Sequence, residues 1–141
     1  GGEPLCAEGD EVFLFPTPEQ LCGLTEAQLT GCGLGYRTRY IQHAAAQAAA
    51  RTLDLDALAG LPDDALFSRL LTLDGVGKKV ANCVCLFGYG RTAMAPIDVW
   101  IQRLIDEEFG GRDPFPAYGQ QAGIVQQYLF YYKRSISTQK K

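Results

Sequence analysis

The sequence has no long hydrophobic run, so we expect no membrane-spanning segment in it. No apolar stretch among the 141 residues approaches the roughly 18 consecutive residues that a transmembrane helix needs. The first residues, Gly-Gly-Glu-Pro-Leu, are acidic and poor in apolar side chains, so we expect no secretory leader. Internal repeats and low-complexity linkers are also absent. With 47% hydrophobic and 21% charged residues, the composition predicts one soluble globular domain over residues 1–141.

The cysteines lack the spacing of a metal site. There are five of them, an odd number, and no group has zinc-ligand spacing. Two of them lie only two positions apart in a predicted helix, where their side chains point in different directions. We therefore expect reduced, mostly buried thiols in a cytosolic protein. The five are Cys6, Cys22, Cys32, Cys83 and Cys85.

An excess of positive charge is missing too, which disfavours a nucleic-acid partner. The formal net charge is −3 at pH 7, whereas proteins that bind a polyanion are usually basic. The distribution of charge points the other way. Residues 1–70 hold ten acidic and four basic side chains, but residues 71–141 hold six acidic and nine basic ones. A DNA-binding surface, if the chain has one, is expected mainly in the second half.

Helix signals are frequent, and we predict an all-α fold. Residues 17–20 (Thr-Pro-Glu-Gln) and 25–28 (Thr-Glu-Ala-Gln) both have the capping-box pattern of a threonine with glutamine three positions later. Val12 to Phe15 is the one weak strand candidate, and the polar residues 135–141 are predicted to form a loose tail. Further helices are predicted from Arg39 to Arg51, after Pro62, after Gly77, from Val99 to Phe109, and from about Tyr118 to Arg134.

A glycine turn joins two of these predicted helices within residues 62–88. The turn reads Gly75-Val76-Gly77 and is followed directly by Lys78 and Lys79. Glycine permits a positive φ and the close approach of a bulky group. The free N–H groups at the start of the second helix suit one phosphate, a contact that would position DNA without reading its sequence. For Gly-x-Gly alone, a tight turn packed against the core is the more common explanation.

The sequence around this turn resembles a family of DNA repair enzymes. Residues 73–81 (Leu-Asp-Gly-Val-Gly-Lys-Lys-Val-Ala) are followed by a short glycine-rich loop and then by residues 95–99 (Ala-Pro-Ile-Asp-Val). These elements, in this order, resemble the helix-hairpin-helix, Gly/Pro and aspartate signature of the HhH-GPD DNA glycosylases. Residues 34–40 (Leu-Gly-Tyr-Arg-Thr-Arg-Tyr) resemble the 8-oxoguanine branch of that family. The resemblance extends from about Phe15 to Arg134.

The resemblance implies two catalytic residues. In the family, the residue at the second position after Gly-Val-Gly is the nucleophilic lysine, which here is Lys79 and not Lys78. Its neutral amine would attack the sugar and form an imine, and β-elimination would then cleave the abasic strand. The family's aspartate corresponds to Asp98, which would stabilise positive charge on the deoxyribose as the base departs. Asp98 is also explained as a helix N-cap, and the two roles are compatible.

The resemblance also implies a pocket for a base that is flipped out of the DNA stack. In the 8-oxoguanine branch, a cysteine one helical turn after the lysine and a phenylalanine on the last helix cover the two faces of the base. A glutamine one turn before the phenylalanine binds the base's pairing edge. The corresponding residues are Cys83, Phe130 and Gln126, of which the last two share a helix face. Without the resemblance, we would interpret Phe130 as a core residue and Gln126 as a surface residue.

Further residues correspond to the family's DNA contacts. Tyr36 corresponds to the side chain that wedges into the stack, and Arg37 to the one that binds the orphaned cytosine. Trp100 stands where eukaryotic relatives have a histidine near a phosphate, a departure that an indole N–H could compensate. His43, the one histidine, is assigned no role. The complete set of predicted DNA contacts is Tyr36, Arg37, Gly75, Gly77, Lys78, Val80 and Trp100.

No redox cofactor is implied. Relatives of the endonuclease III branch carry an iron–sulfur cluster whose cysteines follow the catalytic aspartate, whereas every cysteine here precedes Asp98. We therefore expect no such cluster. Carbonyl groups around Leu71, Leu73 and Val76 are compatible with a monovalent cation that bridges the hairpin to a phosphate, but the residues do not demand it.

The family's catalytic domain begins well upstream of this sequence. The resemblance therefore implies the C-terminal part of a helical barrel, without the N-terminal domain and the first barrel helices. We expect the partners to be duplex DNA with a damaged base and either a complementing N-terminal fragment or a second copy, with no membrane contact. The expected location is the bacterial nucleoid in the cytoplasm, or the nucleus in a eukaryote.

Two alternative functions are compatible with some of these residues. A non-catalytic helix-hairpin-helix module would only hold DNA, and the presence of both Lys79 and Asp98 argues against it. A glycosylase for another damaged base would keep the catalytic pair but change the recognition residues. The segment with Tyr36 and the residues Gln126 and Phe130 argue against that alternative.

Overall fold

The computed structural model describes residues 2–7 and 10–139, with the backbone alone at 5–7, 10–12 and 137–139. No helix in that part of the chain is long and apolar enough to cross a membrane. The sequence predicted a single domain over residues 1–141. In the structure the chain divides into two compact units: Gly1–Gly60 with Leu73–Gly75, and Leu61–Thr72 with Val76–Lys141.

The first unit opens with a short antiparallel hairpin of β1 (Pro4–Ala7) and β2 (Asp10–Phe13). The pairing extends beyond the strands, since the Leu14 amide donates to the Glu3 carbonyl at 2.9 Å. The weak strand predicted from Val12 onward is thus real, but it ends at Phe13 and has a partner that was not predicted. The partner segment, Pro-Leu-Cys-Ala, is too short to show the alternation by which strands are recognised. The other regular elements of the described chain are helical, as predicted.

Four α-helices follow in this unit: α1 (Pro18–Cys22), α2 (Glu26–Gly31), α3 (Thr38–Ala49) and α4 (Leu55–Ala59). Both predicted capping boxes are confirmed, with threonine and glutamine exchanging side-chain-to-backbone bonds at the starts of α1 and α2. The alanine-rich helix is confirmed as α3, which begins one residue earlier than predicted and is preceded by a 3-10 turn at Gly35–Arg37. Helix α4, which is capped by the Asp54 side chain, was not predicted.

Helix α3 contacts the segment that leads into the glycine turn. Gly75 has a φ of +77°, and a Cβ atom at this position would lie 2.4 Å from the ring of Tyr40. One helical turn further along α3, Nδ1 of His43 lies 2.7 Å from Oδ2 of Asp74. Both side chains of this pair are more than half exposed, so the pair contributes only about 1 kcal/mol or less. His43, to which the sequence assigned no role, therefore has a structural partner.

The second unit carries the rest of the helices. They are α5 (Asp63–Leu71), α6 (Lys78–Cys83), α7 (Val99–Glu108) and α8 (Ala122–Gln139). A π-helical turn at Val84–Gly88 extends α6, and a 3-10 segment at Phe115–Gln121 precedes α8. Helices α5 and α6 lie within residues 62–88, the range predicted for the hairpin. A buried core forms where α7, the 3-10 segment and α8 meet, from Ile101, Ile105, Phe115 and Ala122.

The predicted loose tail is wrong for residues 135–139, which continue α8 as helix. The hydroxyl of Ser135 donates to the Tyr131 carbonyl at 2.9 Å, one turn back along this helix. Propagating a helix is far easier than nucleating one. Once the first turns of α8 are held by the core, polar residues can therefore prolong it. Residues 140 and 141 lie outside the described residues.

Gly123 allows α8 to approach the loop before α7 very closely. Its amide donates to the Thr92 carbonyl at 2.8 Å. A Cβ atom at this position would lie 2.4 Å from the Met94 carbonyl oxygen and 2.9 Å from that of Thr92. No side chain fits there. The close approach and the hydrogen bond to Thr92 hold the loop that leads to Asp98 against α8. A glycine inside a helix usually destabilises it, and here the close contact explains its presence.

We expect Gly123→Ala to lower the free energy of unfolding by about 2 kcal/mol or more. The clash is with backbone atoms, which cannot move aside as a side chain could, and overpacking of this kind typically costs about 1–3 kcal/mol. Urea denaturation followed by circular dichroism measures the change. Gly31→Ala is the matched control, because Gly31 ends α2 and an added Cβ would meet nothing within 4 Å. Equal stability of the two variants would contradict the close contact.

Candidate active site

The second unit contains a cavity of about 200 Å³ that gathers the predicted catalytic and pocket residues. Its walls come from α6 with its π-helical extension, from the loop before α7, and from α8. All five residues that the sequence predicted for catalysis and base binding line it, and three further residues join them. The complete lining is Lys79, Cys83, Phe87, Pro96, Asp98, Gln126, Gln127 and Phe130.

One wall is a single face of the helix that begins at Lys78. Lys79, Cys83 and Phe87 are four positions apart, and residues at this spacing lie above one another on a helix. Lys79 is exposed, Cys83 is half-buried, and Phe87 is 64% exposed despite its aromatic ring. On the opposite face Ala81 is completely buried. The helix is thus anchored by one face and presents the lysine, the thiol and the ring on the other.

The π-helical turn is tied down on its far side by Arg91. The Arg91 amide donates to the Cys85 carbonyl at 2.9 Å, and its guanidinium donates to the Leu61 carbonyl at 3.1 Å. The same guanidinium lies 3.4 Å from a carboxylate oxygen of Asp63. One arginine therefore links the end of the hairpin's second helix to the start of its first. Such turns contain one residue more than an α-helical turn and are frequent at functional sites.

Asp98 is the N-cap of α7, which confirms the capping interpretation. Its backbone is extended, with φ −106° and ψ −175°. Its Oδ1 atom accepts from the amides of Trp100 at 3.0 Å and Ile101 at 2.9 Å. These two bonds hold the carboxylate in one orientation at the cavity wall, where Lys79 also lies. The cap therefore positions the carboxylate and does not compete with a chemical role.

Lys79 and Asp98 also border a second, wider depression. It has a volume of about 440 Å³ and is lined in addition by Ile97, Val99 and Gln102. The two candidate catalytic residues are thus shared by a small cavity with aromatic and amide walls and a larger, open one. A group bound at the boundary would contact both residues.

Gln126 and Phe130 form the α8 wall of the small cavity. Gln126 is only 2% exposed, so the alternative of a surface glutamine is wrong. Its Oε1 accepts from the Nε2 of the neighbouring Gln127. Phe130 is half-buried, packs against the core beneath it and also lines the cavity. Core packing and cavity lining, which were competing interpretations of Phe130, are therefore both correct.

An ion pair between a buried lysine and an exposed glutamate joins the helices that carry these walls. The amine of Lys133 on α8 contacts the carboxylate of Glu107 on α7. Lys133 is 6% exposed, and a buried charge of this kind is expensive to leave without its counter-ion. The pair therefore fixes α8, with Gln126, relative to α7, whose first residue follows Asp98.

Four predicted DNA contacts lie at the starts of α6 and α7. Gly77, Lys78 and Val80 are exposed, and Trp100 is half-buried with the Arg103 guanidinium 5.5 Å from its ring centre. The glycines of the turn permit a positive φ, which Gly75 adopts; Gly77 caps α6 with an extended backbone of φ −91°. An added Cβ at Gly77 would meet nothing within 4 Å, so no contact within the described part of the chain requires glycine there.

Tyr36 and Arg37 lie in the first unit, on the 3-10 turn before α3. Tyr36 is 69% exposed, and the Arg37 guanidinium stacks 4.6 Å from its ring centre. The Tyr40 ring meets that of Tyr36 edge-on, with 6.3 Å between centroids and 83° between planes. Arg39 donates to the Tyr40 hydroxyl at 3.0 Å, and this bond raises the pKa of Arg39 above its already high value. The result is a surface cluster of two tyrosines and two arginines.

The expectation of mostly buried cysteines is wrong for two of them. Cys22 and Cys32 are exposed thiols, whereas Cys83 is half-buried and Cys85 is buried. Burial raises the pKa of the Cys85 thiol, which keeps it protonated and unreactive at neutral pH. Both exposed cysteines lie at the ends of short helices, where no second layer covers them. The Cys6 side chain lies outside the described residues.

Three lining residues were not predicted. Phe87 could have been found, because it is eight positions after Lys79 and therefore on the same helix face. Pro96 precedes Asp98 by two residues and belongs to the Gly/Pro part of the family signature, which carried no prediction of a cavity contact. Gln127 gave no signal, because neighbouring residues on a helix point about 100° apart and one of them was already assigned to the cavity.

Comparisons with known proteins establish the family of the chain. Residues 3–118 match the HhH-GPD superfamily of base excision DNA repair proteins. The chain belongs to this family. It is 31% identical, over 94% of its length, to a probable N-glycosylase/DNA lyase of Methanothermobacter thermautotrophicus, of which it covers 51%. It is 36% identical to an N-glycosylase/DNA lyase of Saccharomyces cerevisiae, over 72% of this chain and 30% of that protein.

The fold is similar to a solved 8-oxoguanine glycosylase/lyase of Clostridium acetobutylicum, in complex with double-stranded DNA containing cytosine opposite 8-oxoG. The TM-score is 0.87 at 28% identity, over 96% of this chain and 50% of that one. The chain thus spans about half of that protein and of the archaeal relative, and 30% of the yeast relative.

Proposed function

We propose that this chain carries the catalytic machinery of a bifunctional DNA glycosylase/lyase that removes 8-oxoguanine from duplex DNA. The observation that carries the proposal is the cavity in which a lysine, a fixed carboxylate and base-binding side chains meet. A hairpin module that only holds DNA has no need to bring these three groups together. The similarity to relatives named N-glycosylase/DNA lyase supports the same reaction.

The two neighbouring cavities suggest where the substrate binds. A flipped base enters the small cavity of about 200 Å³, and its sugar stays at the boundary with the open depression, beside Lys79 and Asp98. In this pose the amine of Lys79 reaches the sugar carbon that bears the base. The phosphates on either side remain in the open depression, where there is room for a continuous strand.

The chemistry then follows in two steps. The Lys79 nitrogen bonds to the sugar carbon while the bond to the base breaks, and the base leaves with the electron pair and takes up a proton. The Asp98 carboxylate, held by its cap bonds, stabilises the positive charge that develops on the sugar. The covalent adduct opens to an imine, which acidifies the neighbouring carbon, and β-elimination of the 3′ phosphate cleaves the strand. Hydrolysis of the imine releases Lys79.

Recognition of the base falls to the other walls of the small cavity. Cys83 and Phe130 would contact the two faces of the base, and Gln126 its pairing edge. Burial of Gln126 is consistent with this role, because a buried amide costs free energy unless it has hydrogen-bond partners. The grip on DNA is assigned to two surfaces: Gly75, Gly77, Lys78, Val80 and Trp100 for the phosphates, and Tyr36 with Arg37 for the gap and the orphaned base.

Additional partners belong to the proposal as well. The chain spans about half of two relatives and less of the third, so we propose that full base discrimination requires a complementing N-terminal segment or a second copy. The reaction as written uses no redox cofactor. The monovalent cation at the carbonyls of Leu71, Leu73 and Val76 stays a prediction, as does location with the genome, in the nucleoid or the nucleus.

A single assay with two substrates tests the proposed function. We expect this chain to cleave a duplex with a ready-made abasic site, because the lyase step needs Lys79 and a phosphate grip more than it needs base recognition. We expect slower release of 8-oxoguanine opposite cytosine, and none of undamaged guanine. A tetrahydrofuran analogue of the abasic site, which cannot form an imine, is the control and should stay intact.

Two outcomes would overturn this function. DNA binding without cleavage of the abasic duplex would favour the non-catalytic hairpin module. Faster release of an alkylated base or a damaged pyrimidine than of 8-oxoguanine would favour a glycosylase of different specificity.

A further inference from the structure

A second glutamine lines the base cavity next to the predicted one. Gln127 is half-buried and borders the cavity together with Gln126. Its amide nitrogen donates to the amide oxygen of Gln126. Both residues stand in the first turns of α8, where Gly123 and the Lys133–Glu107 pair hold the backbone in place. The cavity therefore has an amide pair on one wall, and not a single amide.

The bond between the two amides fixes the orientation of Gln126. A primary amide has an oxygen that accepts and a nitrogen that donates, and a half-turn of the side chain exchanges them. With the oxygen of Gln126 engaged by Gln127, its nitrogen is the group that remains for a ligand. If Gln126 alone turned over, two amide nitrogens would face each other and the hydrogen bond would be lost. The orientation of the Gln127 amide therefore decides which end of Gln126 meets the substrate.

The pair as a whole offers a donor and an acceptor to a bound base. The donor is the amide N–H of Gln126, and the acceptor is the carbonyl oxygen of Gln127. A base with a lactam edge, a carbonyl oxygen beside a ring N–H, is the complement of such a pair. A base with an amino group beside an unprotonated ring nitrogen has the reverse order and would bring donor against donor.

We propose that Gln127 is a specificity-determining residue, which locks Gln126 so that the cavity accepts lactam bases and rejects amino-substituted ones. This rests on the proposed function, because it assumes that a flipped base occupies the cavity. It adds a selection that the family signature does not contain, namely between 8-oxoguanine, which has a lactam edge, and 8-oxoadenine, which has an amino edge. The two lesions carry the same oxidised five-membered ring, so only the pairing edge separates them.

The test measures single-turnover release of 8-oxoguanine and 8-oxoadenine, each opposite cytosine, by the wild-type chain and its variants. We expect Gln127→Ala to lower the ratio of the two rates about tenfold, since Gln126 can then adopt either orientation. Gln127→Glu should lower the ratio further or invert it, because a carboxylate cannot donate and would instead accept from the nitrogen of Gln126. Loss of a matched hydrogen bond in a buried site changes discrimination on this scale or more.

Gln121→Glu is the matched control for the added charge. Gln121 is exposed, at the end of the 3-10 segment before α8, and its substitution should leave the ratio unchanged. If Gln127→Ala lowers the melting temperature, the isosteric Gln127→Met replaces it. Cleavage of a ready-made abasic site is the second readout, and the control Gln121→Glu should keep it within about twofold of wild type.

The outcomes separate the two proposals. An unchanged ratio of 8-oxoguanine to 8-oxoadenine in both Gln127 variants, with abasic cleavage intact, would overturn the role of Gln127 and leave the proposed function standing. Failure of the wild-type chain to cleave the abasic duplex would instead overturn the proposed function.

Discussion

Sodium borohydride should trap the wild-type protein on abasic DNA, and Lys79→Gln should abolish the trapped adduct completely. Borohydride reduces an imine to a stable amine, so only a residue that bonds covalently to the sugar leaves a product. Glutamine is polar and one atom shorter than lysine, and its amide nitrogen is not nucleophilic. The measurement is a denaturing gel in which the adduct migrates more slowly than free DNA.

The neighbouring lysine supplies the control for this experiment. Lys78 precedes Lys79 and is exposed at the first position of α6, but it does not line the cavity. We expect Lys78→Gln to weaken DNA binding through loss of a phosphate contact and to keep most of the adduct at saturating protein. Equal loss of the adduct in both variants would mean that the lysines only hold DNA.

Asp98→Asn should slow 8-oxoguanine release by about a hundredfold or more while DNA affinity changes only a few-fold. The lost interaction is between a negative charge and a sugar that becomes positive only in the transition state, so the rate suffers and binding does not. Removing one electrostatic group of this kind typically costs a factor of about 10²–10³. Single-turnover kinetics and a binding titration with the same duplex measure the two quantities.

A second substitution at Asp98 provides the control for this experiment. Asparagine caps helices about as well as aspartate, so Asp98→Asn keeps an acceptor for the amides of Trp100 and Ile101 and should fold normally. Asp98→Ala removes the cap as well and should lower the free energy of unfolding by about 1 kcal/mol. If Asp98→Asn retains the wild-type rate, the carboxylate is a structural cap alone.

The sequence predicted the residues of the cavity best where a helix face and the family signature agreed. Lys79 and Cys83 were recognised through the glycine turn and a four-residue spacing, and Gln126 with Phe130 through the same spacing on α8. The structure places all four on one cavity. Asp98 was recognised twice, as a cap and as the family's carboxylate, and its cap bonds are present. Local patterns placed these residues on helix faces, but the family resemblance was needed to assign them to a pocket, since the pattern alone favoured a core Phe130 and a surface Gln126.

Other features depend on contacts between segments far apart in the chain, and no local pattern reveals them. Gly123 looks like an unfavourable residue in a helix until the carbonyls of the preceding loop are placed beside it. His43 and Asp74 are separated by 31 positions, and nothing in either sequence neighbourhood indicates the pair. The exposure of the Cys22 and Cys32 thiols likewise depends on how distant segments pack, which no local pattern indicates.

The π-helical turn at Val84–Gly88 has a consequence for insertions and deletions in this family. A turn of this kind is an α-helix with one residue inserted, and removal of one residue restores regular hydrogen bonding. A single-residue deletion there would therefore cost the backbone little. With a residue before Phe87 deleted, Phe87 would be seven positions after Lys79, and residues seven apart on an α-helix lie only about 20° apart around its axis. A chain shortened there would therefore keep Lys79 and Phe87 on one face and lose only the π-helical turn between Val84 and Gly88.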